Sequence, residues 1–105
     1  MKKHNFINNH KKLLGIVNEI YQVEEFTPHQ EEAIFCKYII TYLLLEVSNH
    51  TISEVQRSFN QSYRTTTRNR KEALNLLSYH PKFIEMYNRI KDQYKIFLIA
   101  KLSVL

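Results

Sequence analysis

Thr51-Ile52-Ser53-Glu54-Val55-Gln56-Arg57-Ser58-Phe59, then Asn60-Gln61-Ser62-Tyr63, then Arg64-Thr65-Thr66-Thr67-Arg68-Asn69-Arg70-Lys71 is the stretch on which the reading of this chain turns. The first segment opens with a capping box, Thr51 and Glu54, and places Ile52, Val55 and Phe59 on one helical face. The second is a polar turn. The third has no apolar residue until Ala73, Leu74, Leu76 and Leu77. A helix serving only to close a core carries apolar residues along its whole length. This pattern predicts a short helix, a turn and a second helix over about residues 51–78, the second anchored by its back half with a basic, hydroxyl-rich front left in water. On a wheel of about 100° per residue, Arg64, Thr67, Arg68 and Lys71 fall on one side, with Ala73, Leu74 and Leu77 on the other. Arg70 falls near the inward side, where snorkelling or pairing with a carboxylate is expected.

The rest of the chain is helical by the same criteria. Its 105 residues include one glycine and two prolines, and no β-type alternation is present. We therefore expect an all-α, five-helix single domain spanning residues 1–105. The first helix runs from about Asn5 or Lys11 to Val23, with Leu13, Ile16, Val17 and Ile20 on one stripe. Thr27-Pro28-His29-Gln30 predicts the start of the second, which runs to about Val47. Apolar residues cover almost its full circumference, so it belongs at the centre. Ser78-Tyr79-His80 ends the fourth helix and Pro81 begins the fifth, which carries Phe83, Ile84, Tyr87, Ile90, Tyr94, Phe97 and Leu98 at helical spacing.

Charge is segregated. The net charge is +5. Residues 19–32 hold Glu19, Glu24, Glu25, Glu31 and Glu32 with no Lys or Arg, whereas residues 57–71 hold Arg57, Arg64, Arg68, Arg70 and Lys71 with no acid. Lys2, Lys3, Lys11 and Lys12 form a second basic cluster. A polyanion would be drawn to one face and repelled from another. Arginine forks suit phosphates and guanine edges, threonine suits phosphate and the thymine methyl, and a helix N-terminus suits a phosphate oxygen. Double-stranded DNA is the partner this implies, with Ser62, Tyr63, Arg64, Thr65, Thr66 and Arg68 as contacts and Arg57 and Lys71 as phosphate clamps.

Other chemistry is poorly provided for. Cys36 is the single cysteine, so no internal disulfide or cysteine-based metal site is expected. His4, His10, His29, His50 and His80 show no metal-ligand spacing. Glu24-Glu25 and Glu31-Glu32 lack a general acid–base frame. No enzyme activity, metal or cofactor is expected. Signal peptide and membrane span are both missing from the pattern, so the expectation is a soluble, cytoplasmic protein.

Residues 38–88 resemble the C-terminal DNA-binding domain of the bacterial chromosomal replication initiator DnaA, a Trp-repressor-like helix-turn-helix. The likeness lies in the run Tyr42-Leu43-Leu44-Leu45-Glu46-Val47-Ser48-Asn49-His50-Thr51-Ile52-Ser53-Glu54-Val55, then Phe59, and in Thr65-Thr66. Where the family has two glycines and Arg-Asp-His-Thr-Thr, this chain has Asn60-Gln61 and Ser62-Tyr63-Arg64-Thr65-Thr66. The resemblance implies that Thr65 and Thr66 read a major groove and that the process served is control of replication or transcription. The family's basic loop ahead of the second helix is replaced by Glu24-Glu25 and Glu31-Glu32, and the G-x-x-x-x-G-K-[ST] run of the full initiator's separate ATPase module does not occur, Gly15 being the sole glycine. An alternative reading is a helical protein–protein interaction module or a homodimer without DNA binding, because residues 96–105 are apolar on more than one side.

Overall fold

The computed structural model of this chain describes residues 6–26 and 30–103, and they form five helices with no strand. These are α1 (Phe6–Tyr21), α2 (Glu31–Tyr42, extended by a π-helical turn over Leu43–Val47), α3 (Ile52–Ser58), α4 (Tyr63–Leu77) and α5 (Pro81–Ser103). The all-α, five-helix expectation is met.

The central position of α2 follows from its composition. Ala33, Phe35, Cys36, Ile39, Ile40 and Thr41 are buried, and α1, α4 and α5 all pack against this helix. Leu43, Leu44 and Leu45 are buried as well, continuing the run of Ile39, Ile40 and Thr41. They lie in the π turn, which ends with the amide of Ser48 donating to the Leu43 carbonyl at 3.1 Å. The Ser48 hydroxyl then bonds the phenol of Tyr94, tying this turn to α5. The helix ends at Val47, where the sequence placed its end, with its last turn widened.

Helix ends lie close to the predicted ones, with informative differences. α1 stops at Tyr21 rather than Val23 because Gln22 takes φ 58°, a left-handed conformation that cannot continue the helix. Asn49 and Asn60 take φ 57° and 51° at the next two junctions. In a chain with one glycine, asparagine fills the left-handed positions that glycine usually takes. The predicted cap Thr27 and its Pro28 lie outside the described residues. The described part of α2 begins behind Gln30, whose side chain makes no cap hydrogen bond. Glu31 and Glu32 stand in its first turn, favourable to the helix dipole, and Lys82 of α5 reaches them at 3.1 and 3.9 Å. These carboxylates thus join two helix starts.

The N-terminal half of α1 is pinned to the start of α3 by a mixed aromatic and histidine cluster. Asn9 Nδ2 donates to His50 Nε2 at 3.0 Å, which leaves His50 Nδ1 to carry the proton toward Glu54 Oε1 at 3.5 Å. Phe6 packs edge-on against His50 at 4.9 Å and stacks on His10 at 5.7 Å, and His10 meets Phe59 edge-on at 5.3 Å. The capping box is formed as expected: Thr51 Oγ1 accepts from the Glu54 amide at 3.1 Å, and Glu54 Oε1 accepts from the Thr51 amide at 2.9 Å.

Two measurements test this packing. Gly15 sits inside α1, and a Cβ there meets nothing within 4 Å. Gly15→Ala is expected to stabilise the protein by about 0.8–1 kcal/mol, raising Tm by about 4–8 °C. Burial lowers the pKa of His10 below its usual 6.5. The unfolded chain then binds the proton more readily, so stability is complete above 6.5 and declines as pH drops through that value toward the folded pKa. Urea unfolding between about pH 5 and 7.5 is expected to show this slope, and His10→Leu is expected to reduce it.

Candidate nucleic-acid interface

The two helices singled out from the sequence are joined by Phe59–Ser62 in the structure. Phe59 closes α3, its amide donating to the Val55 carbonyl at 3.3 Å. Asn60 then turns the chain with its left-handed φ. Ser62 caps α4: its hydroxyl oxygen accepts from the Thr65 amide at 3.1 Å, and its hydroxyl donates to Thr65 Oγ1 at 3.0 Å. The first turn of α4 contains no acid. Tyr63 is its first residue and is 61% exposed.

α4 packs chiefly against α2, and also against α3 and α5, burying a stripe of Thr66, Asn69, Ala73 and Leu76 at spacings of three and four. The opposite side carries Arg64, Arg68 and Lys71, all exposed, with half-buried Thr67 among them. No salt bridge engages Arg57, Arg64, Arg68 or Lys71 among the described residues. Arg70 departs from them by pairing with Glu46 at the end of α2, as its position near the inward side predicted. A shallow groove of about 360 Å³ runs between the cationic stripe and α2, lined by Tyr42, Glu46, Thr67, Arg70, Lys71 and Leu74.

Two expectations are corrected here. Thr66 was expected among the groove contacts, but it is 0% exposed. Its hydroxyl donates to the Ser62 carbonyl at 3.0 Å and accepts from Gln61 Nε2 at 3.0 Å. Thr66 therefore locks the turn onto α4 and cannot touch an external ligand. Leu74 was expected on the inward side, yet it is 58% exposed. The buried stripe passes through Ala73 and Leu76, and Leu74 is rotated about 100° beyond Ala73, toward Lys71. The front half of α4 is thus not wholly in water. Extending the Ala73–Leu76 stripe backward at helical spacing lands on Asn69 and Thr66, a signal that their polarity masks.

The remaining predicted residues divide between two places. Ser62, Tyr63, Arg64, Arg68 and Lys71 are exposed and share α4 or its cap. Thr65 is half-buried, its hydroxyl held by Ser62. Arg57 is exposed too, but it lines a separate cleft with Phe6, Ile7, His10 and Lys11 of α1.

Groups suited to other chemistry are engaged in packing. Cys36 is buried, and its pKa is pushed up to about 12 by that burial, with the charge of Glu32 adding to it. Such a thiol is a poor nucleophile near neutral pH. His80 Nδ1 accepts from the Phe83 amide at 3.3 Å, capping α5. Among the described residues no cluster of His, Cys, Asp and Glu could hold a metal ion, and no helix is long and apolar enough to cross a membrane. Comparison with protein-family models, curated proteins and solved structures finds no match for this chain.

The structural role assigned to Thr66 is open to test. Thr66→Val keeps the shape but leaves the Gln61 amide without its acceptor. It is expected to cost about 1–2 kcal/mol in urea unfolding, while Thr67→Val, toward the solvent face, costs under about 0.5 kcal/mol.

Proposed function

We propose that this protein binds double-stranded DNA through a helix-turn-helix formed by α3, the Phe59–Ser62 turn and α4, with α4 as the recognition helix in the major groove. The observation that carries the reading is the stripe of Arg64, Arg68 and Lys71: exposed, without carboxylate partners among the described residues, and opposite a buried seam that fixes its direction. Arg64 and Arg68 stand one helical turn apart, a spacing that lets both guanidinium forks enter one groove. The acid-free N-terminus of α4 adds a positive dipole end beside Ser62 and Tyr63. In this reading Arg64, Arg68, Thr65 and Tyr63 face the bases, Ser62 and Lys71 take phosphates, and Arg57 adds a phosphate contact from α3. Thr66 drops out of the contact set and keeps the turn in place.

The resemblance to the DnaA C-terminal domain gains local support from Asn60. That residue occupies the first of the two positions where the family has glycine, and it takes the left-handed conformation that glycine favours. We infer a sequence-preferring binder serving replication or transcription control. The departures at Ser62, Tyr63 and Arg64 point to a DNA site different from the family's. A second reading, association through α5 as a helical interaction module or homodimer, is favoured by Ile96 and Ile99, 67% and 62% exposed near the end of that helix.

Binding to duplex DNA, followed by fluorescence anisotropy, tests the proposal. With about four phosphates neutralised, log K is expected to fall against log salt with a slope of roughly −3 to −4. Replacing Arg64 and Arg68 together by Ala is expected to weaken specific binding by about 1–3 kcal/mol for each base-reading arginine removed, with an unchanged melting curve. A salt-independent affinity, or a double variant that binds as tightly as the parent, would remove the proposal.

A further inference from the structure

The helix-turn-helix reading leaves a second set of cations without a role. Lys12 Nζ and Lys101 Nζ stand 5.5 and 5.2 Å from the centroid of the same ring, Phe97. With Lys11 and Asn8 they line a shallow depression of about 500 Å³. None of its described lining residues is acidic. One ammonium over an aromatic face is a common packing arrangement. Three lysines gathered there, with no carboxylate among the described lining residues, make a positive patch that an external anion would neutralise.

This depression adjoins α3. Lys11 also lines the neighbouring cleft of about 630 Å³, where Arg57 and Ser58 form part of the wall. One carboxylate lines that cleft, Glu54, and it is already engaged by the Thr51 amide at 2.9 Å and faces His50. Lys101, Lys12, Lys11 and Arg57 are therefore neighbours in turn, forming a ribbon from the end of α5 across α1 to α3. Glu54 borders the ribbon at α3, while Glu24 and Glu25 follow the far end of α1 and Glu31 and Glu32 lie against Lys82. A row of cations beside an aromatic ring suits a sugar-phosphate backbone, whose charges repeat along a line.

We propose that Lys11, Lys12 and Lys101 form a second phosphate-binding site, joined through Arg57 to the helix-turn-helix, which holds the DNA backbone beyond the segment read by α4. The proposal rests on the DNA-binding reading above. It assigns the lysines no part in base recognition. Their contribution is sequence-independent affinity and a longer footprint.

The test compares the parent protein with two variants, Lys11→Ala/Lys12→Ala/Lys101→Ala and Arg64→Ala/Arg68→Ala. Each is titrated against a long duplex of about 30 base pairs and a short one of about 10, one helical turn, over a range of salt. Unchanged circular dichroism melts establish that the variants fold. On the long duplex the parent's slope is expected to steepen to roughly −6, and the lysine variant is expected to bind at least tenfold more weakly at low salt, with its slope back at roughly −3 to −4. On the short duplex it is expected to match the parent, and an all-arginine version of the three positions is expected to restore long-duplex binding. If the parent binds and the lysine variant matches it in affinity and slope on the long duplex, the second site is refuted while the DNA reading stands. Equal losses on both duplexes would place the lysines inside the primary interface and overturn the extended footprint. A parent that binds neither duplex overturns both proposals. Lysine-dependent sedimentation with vesicles containing phosphatidylserine, in the absence of DNA binding, would then reassign the patch to an anionic membrane surface.

Discussion

The seam between α2 and α4 is the constraint on which the other features rest. α2 is enclosed by α1, α4 and α5, and its buried residues leave α4 one way to lie. Thr66, Asn69, Ala73 and Leu76 make up the buried stripe of α4, and the first three are small or compact side chains. Burying polar Thr66 is tolerable because its hydroxyl is fully used, donating to Ser62 and accepting from Gln61. Once that stripe is fixed, helical periodicity sends Arg64, Arg68 and Lys71 outward with no freedom to choose another face. Glu46 and Arg70 then flank the seam at its edge.

The turn preceding α4 is held as firmly as the helix itself. His50, Asn9, Phe6, His10 and Phe59 link α1 to both ends of α3, and Ser48 links the π turn to Tyr94 of α5. Asn60 sets the direction in which the chain leaves α3. Such anchoring would limit the reordering that the proposed DNA binding requires. The cost is sensitivity to pH, because a histidine packed between phenylalanines resists protonation.

Charge follows the same division of the molecule. Carboxylates after α1 and at the start of α2 are either solvated or paired with Lys82, while the cations of α4 and of the α1–α5 edge face outward. The proposed DNA contacts and the proposed second phosphate site both draw on this segregation. It would orient an approaching polyanion before any short-range contact formed.

Helix number, the central place of α2, both ends of α3 and the pairing of Arg70 with a carboxylate were legible in the residues. Capping boxes, proline positions and apolar periodicity are local rules, and local rules act on neighbours in sequence. The π turn after Tyr42, the burial of Thr66 and Asn69 and the exposure of Leu74 were not legible. Each depends on which neighbour a helix face meets, and polarity alone misassigned the first half of α4. The adjacency of Lys11 and Lys12 to Lys101 was equally hidden, since Lys101 comes 89 positions after Lys12 along the chain. By itself the sequence determined that five helices form and that one of them carries a basic front. Tertiary structure alone decided which side chains of that front remain in water, because the α2–α4 seam selects one face of a helix whose front residues are all polar.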